Sequence, residues 1–146
     1  MQQRIIVETL PVFVLEIGKD ETELESVAEI VARLKARIDA DEVARFIGVF
    51  DHYTQTRHLP VGVIDEAILD AWIIVFCFGI ALPGPEALAF RPRSIGVAEL
   101  TDRFVVSFLE APMPVANTVI ETWVRDLATP SQPASAPFEA VKLEQP

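Results

Sequence analysis

AWIIVFCFG, residues 71–79, is the part of the sequence from which the fold can be worked out. It belongs to the most apolar run of the chain, which ends at Leu82. That run is too short to cross a bilayer, which takes about 20 apolar residues. Its β-branched and aromatic residues are typical of a strand. Both faces of this strand would be apolar, so we expect it in the centre of a sheet, covered on both sides or buried at an oligomer interface.

Further strands are predicted on both sides of this one. RSIGVAELTDRFVVSFLEAP (93–112) predicts a hairpin. VARFIGVFDHYTQTRHL (43–59) is interpreted as a strand, and the Pro-rich residues 80–92 as a loop with room for one helical turn. RIIVETLPVFVLEI (4–17) predicts one strand interrupted near Pro11, or two short ones. Since proline lacks an amide donor, that strand should lie at an edge or carry a bulge.

Two segments have the apolar spacing of amphipathic helices. DETELESVAEIVARLKARIDA (20–40) is the clearer one, with Asp20 as the predicted cap and Glu23 completing a capping-box pattern. The second is PVANTVIETWVRDLA (114–128), where Pro114 suits the first helical turn.

The order of these elements predicts an α+β fold with two layers. We expect a largely antiparallel sheet with the helices on one face, in the order β-α-β-β-β-β-α. Residues 1–128 would form a single domain, followed by a Pro-rich flexible C-terminal tail at 129–146. Docking of Phe138, Val141 and Leu143 as a short addition to the domain is left open.

Composition excludes several classes of function. The net charge of −10 counts against binding to nucleic acid and to anionic membrane surfaces. The nearest approach to a basic cluster is Arg91 with Arg93, which has no interleaved aromatic residues for stacking on bases. A single cysteine excludes an internal disulfide and fits a reducing compartment, so we expect a cytoplasmic protein.

Residues 43–127 resemble a small bacterial family, "domain of unknown function 302". The shared patterns are a strand ending in Asp-His, as in VFDH (49–52), and an apolar strand ending in Phe-Gly, as in VFCFG (75–79). A loop and strand with a basic residue follow, as in LAFRPRSIGVAEL (88–100), and then a Ser-aromatic-x-x-Pro pattern, as in VVSFLEAP (105–112).

The chain departs from that family at three points. No Asn-Pro follows Gly79, Gly79 leads into a longer Pro-rich loop, and Phe108 stands where the family usually has Tyr. The resemblance implies a compact sheet-and-helix domain that tends to form dimers. It implies no activity.

The only concentrated chemistry of the chain lies in FIGVFDHYTQTRHL (46–59), which contains both histidines. An imidazole can exchange a proton near neutral pH, so His52 and Asp51 are the candidate catalytic residues. On a strand these neighbours would point to opposite sides, so a dyad would need a bulge or a group from a second subunit. The simpler interpretation of His52 is a residue at the edge of the core, hydrogen-bonded to backbone or carboxylate.

Four residues of this stretch are candidates for ligand binding. They are Phe50, His52, Tyr53 and His58. Extended strand would separate His52 from His58 by about 20 Å, too far for one metal ion to reach both. We therefore predict no metal site within one chain and no cofactor, while a site completed across a dimer axis stays open. Cys77 is interpreted as a small core side chain.

The leading hypothesis is a homodimeric binding or accessory protein without catalytic chemistry of its own. An apolar groove between sheet and helices, with His52 at its rim, would take a small apolar ligand or a protein partner. The competing hypothesis is a small enzyme that uses His52 and Asp51 in acid–base or hydrolytic chemistry, with a site shared between subunits. A metal or haem site between subunits is a third, weaker alternative.

Overall fold

The computed structural model describes residues 1–6, 9–128 and 139–142 of the chain. The strands in this described part are β1 (Pro11–Gly18), β2 (Ala44–Asp51), β3 (Asp70–Phe78), β4 (Arg93–Glu99), β5 (Arg103–Leu109) and β6 (Glu139–Lys142). The helices are α1 (Val27–Ala40), α2 (His52–His58) and α3 (Pro114–Arg125), with a 3-10 helix at Pro85–Phe90.

The strands form one antiparallel sheet in the order β2-β3-β4-β5-β1-β6. The predicted α+β class with a largely antiparallel sheet is confirmed, and β4 and β5 form the predicted hairpin. Compared with the predicted order, α2 and β6 are additional. The 3-10 helix lies in the loop where one helical turn was expected.

One face of the sheet, called here the inner face, carries the core. Directly opposed residues of antiparallel strands share a face, so the strand register assigns each side chain to one side. The buried residues of the inner face are Ile17, Ile74, Phe76, Phe78, Ile95, Val97, Phe104, Val106 and Phe108. They form one cluster with α1 and α3, whose buried residues are Val27, Ile30, Val31, Leu34, Ile38, Ala116, Ile120, Trp123 and Val124.

The opposite, outer face is also apolar. One row runs across it from Phe50 through Ile73, Gly96 and Ser107 to Val14, each residue opposite the next. We call the central residues of this face the outer patch. They are Val14, Phe50, Ile73, Val75, Gly96, Ala98, Val105 and Ser107. None of these residues is buried.

The two faces differ most clearly along β3. Its side chains alternate between the faces, so those from Ile74 to Phe78 that point inward are buried, while Ile73, Val75 and Cys77 are only half-buried. β3 is an interior strand, but the expected cover on both sides is wrong for the single chain, and the alternative of burial at an oligomer interface stays a prediction. It lies between β2 and β4 and is covered on the inner face. Cys77 is consequently not a core side chain.

Helix α1 begins later than predicted, at Val27 rather than near Asp20. The cap is Ser26, whose Oγ accepts a hydrogen bond from the backbone N–H of Glu29 at 3.1 Å. The Glu29 carboxylate in turn accepts from the backbone N–H of Glu25 at 2.7 Å. The first bond satisfies an amide group that the first turn of a helix leaves without a partner, and the second holds the residue that precedes the cap.

β1 and β6 pair with each other at one side of the sheet. The strand predicted at 4–17 begins only at Pro11, which stands opposite Lys142 of β6. A proline is tolerated as the first residue of a strand because its missing N–H is not needed there. Because β6 belongs to the predicted tail, part of that tail pairs with β1, while Phe138 and Leu143 lie outside the described residues.

Strand β2 contains a bulge. Its register with β3 shifts between Phe46 and Gly48, so Ile47 is an extra residue that has no cross-strand partner in β3. None of the described helices has the length and apolar character to span a membrane.

Candidate functional site

The predicted strand at 43–59 is wrong beyond Asp51, because His52 to His58 form the helix α2. The Asp51 carboxylate caps this helix: one oxygen accepts from the Thr54 backbone N–H at 2.9 Å, and the other accepts from the Thr54 hydroxyl at 2.8 Å. Asp, Ser, Thr and Asn are the preferred caps because their side-chain oxygens satisfy amides that the helix cannot.

This capping role fixes the charge of Asp51. The backbone N–H of Thr54, and after it the Thr54 hydroxyl, hold the pKa of the Asp51 carboxyl below its ordinary value. Hydrogen bonds to the ionised form always act in this direction. Near neutral pH, Asp51 is therefore an ionised group that serves α2.

Both histidines bond to their own helix. His52 Nδ1 and the Thr56 hydroxyl share a hydrogen bond of 2.9 Å, while His58 Nδ1 donates to the carbonyl oxygen of Thr54 at 2.8 Å. Both side chains are exposed. The His52 ring also meets the Phe50 ring edge-on, with centroids 5.3 Å apart, which places the start of α2 beside the outer patch.

The spacing predicted for these residues changes with the helix. Six residues of α-helix advance by about 9 Å rather than about 20 Å, and His52 and His58 leave the helix in different directions. Asp51 and His52 each bond to a separate threonine, so the structure does not join them as a dyad. Tyr53 is half-buried. Across the described ranges, no three His, Cys, Asp or Glu side chains are grouped closely enough to hold a metal ion.

A second candidate site lies at the opposite end of the sheet, where β3 ends and β4 begins. It is a shallow cleft, open to solvent, whose enclosed volume is about 30 Å³. Its lining residues are Phe78, Phe90, Arg91, Arg93, Ala111, Pro112, Met113 and Ala116. Sequence reasoning missed this site, although the pair Arg91 and Arg93 gave a signal that was weighed only against nucleic-acid binding.

Arg93 is the most unusual side chain of this cleft. It is half-buried and donates hydrogen bonds to two backbone carbonyl oxygens, that of Phe90 at 3.3 Å and that of Leu109. Burial lowers the pKa of the Arg93 guanidinium. Among the residues that the structure describes, no carboxylate forms an ion pair with it.

A third, wider depression has a different character. It lies between the ends of β1 and β5 and is lined mainly by charged residues, which include Lys19, Asp102 and Arg103. Arg103 pairs with Asp102 at 2.8 Å and with Glu16 at 3.5 Å, and Asp102 is the main reason that the pKa of Arg103 is raised. Lys19 pairs in turn with Glu99 at 2.9 Å, so both cations of the depression already have carboxylate partners and offer little to an anionic ligand.

Comparison with known proteins adds one finding. No curated protein and no solved structure matches the chain. The model of a family of unknown function, DUF6858, matches residues 1–129. This match does not confirm the resemblance to domain of unknown function 302. Like that family, DUF6858 has no assigned function. The chain belongs to the DUF6858 family.

Proposed function

We propose that this chain is a homodimeric binding or accessory protein in which two copies pack their outer sheet faces together. The observation that carries the proposal is the outer patch. It is built from aliphatic, aromatic and small side chains, and none of them is buried in the single chain. Contiguous apolar surface of this kind is typical of interaction sites.

The size of the face suits a dimer. Five strands spaced by about 4.8 Å, with about seven residues each, form a flat area of about 550 Å² per copy. Two copies would bury about 1,100 Å², slightly more than the roughly 1,000 Å² expected of a biological interface. Gly96 and Ala98 have small side chains that project little from the centre of the face, so a second sheet can approach closely.

Charges lie around the patch rather than within it. Arg45 projects from the outer face of β2, opposite Cys77. At the other side of the sheet, Glu16 and Arg103 already pair with each other at 3.5 Å. An apolar centre with a charged rim is the usual anatomy of an interface between proteins.

The alternative of a small enzyme has weaker support. Asp51 and His52 are each bonded within α2, and neither the Arg93 cleft nor the charged depression includes His52. Its ring borders the outer patch, so a role at the rim of the interface suits it better. A cytoplasmic location remains part of the proposal, since the only cysteine, Cys77, is half-buried next to this face and would stay reduced there.

Val75→Arg tests the dimer directly. Its cross-strand neighbour is Gly48, which has open space around it, so the single chain can accept the longer side chain. Val63→Arg is the matched control, because Val63 is 88% exposed and lies outside the sheet. Light scattering should give the wild type and Val63→Arg twice the chain mass of 16.2 kDa, and Val75→Arg the single mass.

Alkylation of Cys77 gives a second readout. The thiol should react slowly in the wild-type dimer and faster in Val75→Arg, because the second sheet would cover it. A wild-type protein that stays monomeric at high micromolar concentration would refute the proposal. Equal dissociation of Val75→Arg and Val63→Arg would show that the outer patch is not the interface.

A further inference from the structure

We infer that the cleft beside Arg93 binds a small organic acid, with the carboxylate on the guanidinium groups of Arg91 and Arg93 and an apolar body against the aromatic wall. The cleft lies on the inner side of the sheet, at the start of α3, and is separate from the outer patch. The inference is therefore independent of the proposed dimer. Its enclosed volume of about 30 Å³ has room for the carboxylate group alone, so the apolar body would lie along the open mouth of the cleft.

The first argument is the state of Arg93. A guanidinium has five N–H donors, and Arg93 uses two of them on backbone carbonyl oxygens. Those carbonyls are neutral, so they orient the group without compensating its charge. Burying a charge without an opposite charge costs free energy, which an ionised ligand would offset. The remaining donors match the fork of a carboxylate.

The second argument is the presence of Arg91 in the same cleft. It is half-buried and, among the described residues, makes no ion pair or side-chain hydrogen bond. Two arginines that line one small cleft bring like charges near each other, and an anion between them would offset their repulsion. This pairing of cations stands out in a chain with a net charge of −10.

The remaining walls define the rest of the ligand. Phe78, Phe90 and Met113 offer aromatic and thioether surface, and Ala116 keeps the floor of the cleft shallow. Such walls favour an aliphatic or aromatic body over a sugar or an inorganic anion, because they give no hydrogen bonds to polar groups. The ligand class is therefore a carboxylate attached to a short apolar group.

The competing explanation is purely structural. Arg93 ties the carbonyl of Phe90, in the 3-10 helix, to that of Leu109 at the end of β5. In that role alone it would hold the loop in place, and an organic acid would bind no better than an uncharged molecule of the same shape. Binding measurements with matched probes separate the two explanations.

The probes are octanoate, octan-1-ol and acetate, titrated into the full-length protein by calorimetry. Octanoate should bind at least about tenfold more tightly than either of the others, because only it has both the charge and the apolar body. Arg91→Gln and Arg93→Gln should each weaken octanoate binding by about tenfold or more. Arg33→Gln, the same change at an exposed arginine of α1, should leave it unchanged.

Two results would overturn the inference. One is equal affinity for octanoate and octan-1-ol, and the other is unchanged octanoate binding in Arg91→Gln. In the described part of the chain the Arg91 side chain makes no hydrogen bond, and its backbone bond to the Leu88 carbonyl is kept by glutamine, so that variant decides the question even if Arg93→Gln fails to fold. Val75→Arg should keep its affinity for octanoate, which distinguishes this cleft from the outer patch.

Discussion

Asp51 shows how one side chain can redirect the chain. Tyr53, Thr54 and Thr56 have β propensity, which favours continuing the strand. The carboxylate of Asp51 nevertheless captures the N–H and hydroxyl of Thr54 and starts a helix. The sequence does contain a local capping signal, an Asp three residues before a Thr. The alternation of side chains in this stretch favoured a strand, so the signal was not used.

The pH dependence of this cap is the first prediction. An unfolded Asp has a pKa of about 3.9, and that of Asp51 is lower in the folded chain. The stabilisation of α2 by Asp51 should therefore be complete above about pH 3.9 and be lost as the pH falls through the lower folded value. The amide NMR signal of Thr54 should report this transition.

Two variants serve as controls for that titration. Asp51→Asn can still accept from the Thr54 N–H but has no ionisable group, so its Thr54 signal should lose the transition. Glu66→Gln removes an exposed carboxyl elsewhere and should keep it. A Thr54 signal that follows an ordinary Asp pKa would contradict the capping role.

The elements differ in how well the sequence predicts them. β4, β5 and the two longer helices are predicted by a repeated apolar spacing, and β3 by a continuous apolar run rich in β-branched and aromatic residues. α2 has seven residues and no buried side chain, so no apolar spacing marks it. β6 has only four residues and lies in a segment whose prolines and small polar residues predict a flexible tail. Its pairing with β1 could therefore not be predicted.

The start of α1 gives the second prediction. Ser26→Ala removes the side-chain oxygen that accepts from Glu29, and loss of such a cap costs about 1 kcal/mol. Urea denaturation should therefore show a lower free energy of unfolding. Asp20→Ala, at the cap position that the sequence first suggested, should have a clearly smaller effect. Equal losses in the two variants would mean that the helix extends further towards Asp20.

For the molecule as a whole, the sequence predicted the fold class and the apolar nature of β3, but not which of its faces is covered. Coverage depends on where α1 and α3 pack, and those contacts join residues far apart in the chain. The cleft beside Arg93 escaped prediction for the same reason, since the 3-10 helix, β4 and α3 meet only in the folded chain.

The balance of apolar contact and charge gives the third prediction, which rests on the proposed dimer. Two copies, each with a net charge of −10, repel each other, while the outer patch attracts. Salt screens the repulsion beyond about 10 Å at 0.1 M, so sedimentation equilibrium should show a tighter dimer as sodium chloride is raised. Val75→Arg should remain monomeric throughout. A dimer that weakens with salt would indicate an interface held by ion pairs.

The bulge at Ile47 has a consequence for how copies can meet. In the described sheet, β6 covers β1 on one flank, and β2 ends the other flank. A regular terminal strand would be a template on which further chains could add edge to edge, as in filaments and aggregates. The extra residue breaks the ladder that an incoming strand would need. The bulge therefore opposes open-ended addition of chains at β2, while leaving the outer face open to the dimer proposed above.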